Sequence, residues 1–169
     1  YGAHRDLHSF PTRRSSDRWY VTTQGHTMAV LEADTFRMGS LKSEPGRENE
    51  ETPHLRKIGR TFAIAAHEVT REQFRRFEWE NPDISTFNID QYSLTDDSPQ
   101  VGVDWYDAAA YCNWLSKKEG IPEDQWCYEK NTNGRYAAGM KAKETYQELT
   151  GYRLDRKSTR LNSSHTSIS

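Results

Sequence analysis

Cys112 and Cys127 are the two residues of this 169-residue chain best suited to redox or metal chemistry. A cysteine reacts, and binds soft metals such as Cu(I), as its thiolate, so it needs exposure and an electropositive neighbourhood. Cys112 lies in Ala110-Tyr111-Cys112-Asn113-Trp114-Leu115. Ala108 and Leu115 share helical spacing with it, where a thiol acts as a small core hydrophobe. Cys127 follows Trp126 in a segment read as loop and is expected to be structural as well. Two cysteines do not make a disulfide framework, and they leave the redox compartment open.

Other combinations are weaker. His54, His67 and Glu68 supply the residue types of a two-histidine, one-carboxylate site, but no H-x-x-x-H or H-E-x-x-H spacing supports one. His26 is the remaining histidine outside the tails, which hold His4, His8 and His165. Asp90, Asp96 and Asp97 offer oxygen ligands for calcium, yet lack the D-x-D-x-D-G loop; a solvated loop is the better expectation. Trp105 and Trp114 have the shape to line a groove, and at a helix start and flank they are read as core.

The elements that position these residues are short. Met28–Leu31 and the following 32–40 read as a strand, a turn and a second strand ending at Gly39, an opening hairpin, followed by a polar loop over 41–57 with Pro45, Gly46 and Pro53. Phe62, Ile64 and Ala66 alternate within a strand over 61–69. Thr70-Arg71-Glu72-Gln73 is a capping box, and Val69 and Phe74 form the matching staple, so a helix is predicted over about 71–79. After a polar loop over 81–99, Asp104 caps a second helix through Leu115 that Gly120 ends. Residues 121–142 read as loop, and Lys143–Leu149 as a short helix stopped by Gly151.

The length suits one domain, but a mean hydropathy of −1.01 is low for a packed one. Residues 1–17 and 155–169 account for much of this, being rich in Ser, Thr, Arg and His without periodicity. They resemble translated sequencing-adapter read-through, and are read as non-native or disordered tails flanking a partial domain at 18–154. The tails carry +1 and +2, so the body carries −5 against −2 for the whole chain. An acidic body argues against nucleic acid as a partner. No apolar run reaches 18 residues, which argues against a membrane span.

In order along the chain, FRMGS (36–40), EETPH (50–54), FAIAAHEVTREQFRRF (62–77), PQVGVDWYDAAAYCNWLS (99–116) and GYRL (151–154) resemble successive blocks of the formylglycine-generating, sulfatase-modifying factor family. The resemblance covers about 19–154. It implies an irregular, loop-rich α+β fold of the C-type-lectin-like kind. Active members use a cysteine pair and copper, and in some cases calcium, to convert a sulfatase cysteine into formylglycine with molecular oxygen. That pair belongs to the family's C-terminal half, so the chain is read as the front part of such a domain, and no residue of it is assigned to catalysis, cofactor or metal. The sulfatase polypeptide is the implied partner of a catalytic member. EGIPEDQWCY (119–128) is similar to long-loop bacterial versions, which can be fused to serine/threonine kinases. Asp104 stands where the family usually has Ser or Thr, which puts any ligand role of that hydroxyl in doubt. Two other functions fit the resemblance: a non-catalytic lectin-like binding or regulatory module, and the accessory domain of a nonheme-iron sulfoxide synthase.

Overall fold

The structure, a computed structural model, describes residues 18–84 and 95–155. Its strands are β1 (Trp19–Val21), β2 (Thr27–Leu31), β3 (Asp34–Met38), β4 (His54–Ile58), β5 (Phe62–Ala65), β6 (Tyr128–Glu129) and β7 (Lys141–Ala142). The helices are α1 (Arg71–Glu80) and α2 (Trp105–Lys118), with one 3₁₀ turn at Glu123–Gln125. All pairings are antiparallel, in sheets ordered β1-β2-β5, β3-β4 and β6-β7. This is the irregular α+β architecture expected.

The opening hairpin forms differently from the expectation. β2 pairs with β1 and β5, whereas β3 pairs with β4, so β2 and β3 lie in different sheets. Only Glu32 and Ala33 separate them. A two-residue hairpin needs a positive φ, which Gly, Asn or Asp supplies and Glu-Ala does not. β4 overlaps the end of the stretch read as loop, 41–57, and runs one residue past it. Its residues are almost all exposed, so its ladder with β3 carries no hydrophobic alternation that the sequence could display.

Both long helices follow their local signals. Thr70 Oγ1 accepts from the Gln73 amide at 3.3 Å, and the Gln73 side chain accepts from the Thr70 amide at 3.0 Å. Val69, Phe74 and Phe77 are buried in one cluster, as the staple requires. The Asp104 side chain accepts from the Asp107 amide at 2.9 Å to start α2. At its other end Gly120 adopts φ 72°, while its amide bonds Lys117 and the Ile121 amide bonds Ser116. That is the Schellman pattern, and the left-handed residue in it favours glycine.

The helix expected over 143–149 is absent. Tyr146 and Glu148 donate to the carbonyls of Lys143 and Thr145, which are turn bonds. Seven residues nucleate a helix poorly on their own. Tertiary bonds also claim this stretch: the Lys143 amide goes to Cys127, and its ammonium to the carbonyls of Glu123 and Asp124.

The core surrounds α2. On one side Tyr111 and Trp114 meet Phe74 and Phe77 of α1, with ring centroids 5.1–5.6 Å apart. Such aromatic packing adds to the burial of each ring. On the other side Ala109, Cys112, Cys127, Tyr128 and Met140 form a second buried cluster. Among the described residues, no helix is long and apolar enough to cross a membrane.

Candidate functional site

The two cysteines meet in the second cluster, both buried and both free thiols. α2 carries Cys112 on the face turned toward β6, and burial pushes its thiol far above the usual range, with the Cys127 sulfur adding to the effect. Cys127 is fully buried. Its Sγ donates to the Gly151 carbonyl at 3.3 Å and more weakly to the Tyr146 carbonyl at 3.7 Å. Its pKa is also raised, chiefly by burial, against lowering contributions from Arg153 and Lys143. Two buried, protonated thiols, one of them donating to carbonyls, are the opposite of what a nucleophile or a copper ligand needs. The described residues therefore do not fit copper.

Neutral polar groups hold this cluster together. Asn113 is buried and donates to the Tyr128 carbonyl at 2.8 Å and to the Tyr136 hydroxyl at 2.9 Å. Ser116, fully buried, donates to the Cys112 carbonyl and accepts from the Tyr152 amide at 2.8 Å. The Leu154 amide donates to the Tyr128 hydroxyl at 3.0 Å. Gly151 donates to the Gln125 carbonyl, and a Cβ at this position would lie 2.5 Å from that same oxygen. The GYRL segment is thus tied to α2 and β6 by backbone contact that only glycine permits. Sequence reasoning passed over Asn113 and Ser116, because a buried polar residue on a helix looks like a surface one until its partners are known.

A second arrangement lies where β2 and β5 run toward α1. An open cleft of about 650 Å³ is lined by His26, Ala65, His67, Glu68, Gln73 and Asp97, among others. His26 is buried, with Nε2 2.8 Å from the Tyr111 hydroxyl. Burial first, and the Arg76 charge second, lower its pKa to about 4, so it is neutral at physiological pH. The first amides of α1 are already used: Arg71 donates to Ser98, Glu72 to Asp96, and Gln73 to Thr70. This leaves the helix start no free donor for an anion.

The remaining candidates disperse. His54 belongs to β4 and donates from Nδ1 to the Thr52 carbonyl at 2.8 Å, away from any joint site with His67 and Glu68. Asp96 is ion-paired with Arg75 at 2.7 Å and Asp97 accepts from Thr95, while Asp90 lies outside the described residues. Among the described residues no group of three His, Cys, Asp or Glu side chains is placed to hold a metal ion. Trp114 is core, its Nε1 donating to Glu80 at 3.0 Å. Trp105 departs from the core expectation: it is 47% exposed, edge-on to Tyr106 and Tyr128, because the first turn of α2 has only one side against the protein.

Comparison with known proteins agrees with this fold. The solved structure of PvdO from Pseudomonas aeruginosa is similar, with a TM-score of 0.53 and 24% identity over 67% of this chain and 46% of that one. The chain thus spans less than half the length of that structure. No curated protein matches. The family model of the sulfatase-modifying factor enzyme 1-like domain matches residues 17–164. The chain belongs to the sulfatase-modifying factor enzyme family.

Proposed function

We propose that this chain is the N-terminal portion of a formylglycine-generating domain whose complete form oxidises a sulfatase cysteine with copper and oxygen. Its own residues supply scaffold rather than reacting groups. The observation that carries the second part is the burial of both thiols in one core cluster, with their pKa values raised. The family and the 46% span of the matched fold support the first part. In this reading the reacting pair is supplied by polypeptide beyond the residues described.

The test uses the full-length protein, reduced and loaded with Cu(I), with a cysteine peptide taken from a sulfatase and air as oxidant. Loss of the peptide thiol with appearance of an aldehyde is the expected result. Turnover should survive replacement of both Cys112 and Cys127 by alanine, within about threefold. If a folded double variant loses turnover, these two cysteines take part in the chemistry and the scaffold reading fails. If no sulfatase peptide is converted, a non-catalytic lectin-like module becomes the better description.

A further inference from the structure

In an antiparallel sheet, residues directly opposite one another point to the same side. The register pairs Trp19 with Ala29, Val21 with Thr27, Ala29 with Ile64, and Leu31 with Phe62. These seven residues therefore form one face of the β1-β2-β5 sheet, and none of them is charged. The opposite face carries Tyr20, Met28, Val30, Ala63 and Ala65, and its Met28 is buried. A sheet that alternates apolar with polar keeps one side wet. One that is apolar on both sides is built to be covered on both.

This face is open at three of its seven positions. Trp19 is 58% exposed, Val21 51% and Leu31 45%, on the adjacent strands β1 and β2, while Thr27, Ala29, Phe62 and Ile64 are half-buried. Singly scattered apolar residues need no explanation, but a contiguous apolar patch marks a contact surface. The chain spans only 46% of the PvdO structure it matches, so a fold of this type contains more polypeptide than is described here.

We propose that this face of the β1-β2-β5 sheet is the surface on which the remainder of the family domain packs, as an apolar layer of the same polypeptide rather than a separate partner. The inference rests on the reading of the chain as part of a longer domain. It adds where the two parts meet, with Trp19, Val21 and Leu31 as the anchors.

Cysteine accessibility tests it without competing signal, because Cys112 and Cys127 are buried. Val21→Cys and Leu31→Cys, with Glu44→Cys in the exposed loop as reference, are compared in the full-length protein and in the 169-residue chain. In the full-length protein the two sheet positions should react with a polar thiol reagent about 100-fold more slowly than the loop position, whereas in the short chain all three should react at similar rates. Equal rates in the full-length protein overturn the proposal. So does protection that appears in the short chain together with a dimer on size exclusion, since the occupant is then a second copy. The sulfatase-peptide assay distinguishes the two failures. Conversion with an unprotected sheet face sinks this inference alone, and a protected face without conversion sinks only the catalytic reading.

Discussion

Burial decides the chemistry of single residues here. His26 and the two cysteines are groups that sequence alone leaves open, and each is kept neutral by the cost of charging it inside the protein. For His26 this has a pH signature. Its folded pKa, about 4, lies below the ordinary 6.5, so between those values the unfolded chain binds a proton that the folded one refuses. Stability is fully present above pH 6.5 and is lost as pH falls toward 4, at about 1.4 kcal/mol per pH unit, or about 3 kcal/mol in all. Urea unfolding at pH 7 and pH 4.5 should show this loss, and His26→Gln should flatten it. An unchanged slope in that variant would assign the acid sensitivity to other groups. At Gly151 the limit is steric, because a methyl group would lie 2.5 Å from the Gln125 oxygen. Gly151→Ala is expected to destabilise by about 2 kcal/mol or more, read from the denaturant midpoint.

Elements follow local signals where these are strong and tertiary pairing where they are not. α1 was legible from Thr70 to Phe77 because its cap, staple and apolar stripe all lie within one stretch of chain. Thr70→Ala should therefore cost about 1 kcal/mol, while Thr70→Ser should cost much less; chemical denaturation of the two variants checks the cap directly. α2 was legible for the same reason, from Asp104 to Gly120. β4 was not legible, since its stability comes from a ladder with β3 and its side chains are exposed. The 143–149 stretch misled in the opposite way. Its composition suits a helix, but bonds to Cys127, Glu123 and Asp124 hold it in turns.

At the scale of the molecule, the order of the sequence blocks disclosed the family and the irregular α+β fold, while local pattern disclosed the two helices and the strands β2, β3 and β5 but not how those strands pair. The residues that knit the blocks together were hidden because their partners are remote: Ser116 bonds Tyr152, and Cys127 bonds Gly151. Trp105 was misjudged because helix periodicity does not show where the protein surface begins. The central claim is that the two cysteines present are scaffold, and native-state thiol titration tests it most directly. With a polar disulfide reagent, neither Cys112 nor Cys127 should react below pH 9 in the folded protein, both should react at once on unfolding, and Cu(I) should not bind to either. A native thiol that titrates below pH 8 and takes up Cu(I) stoichiometrically would contradict the claim.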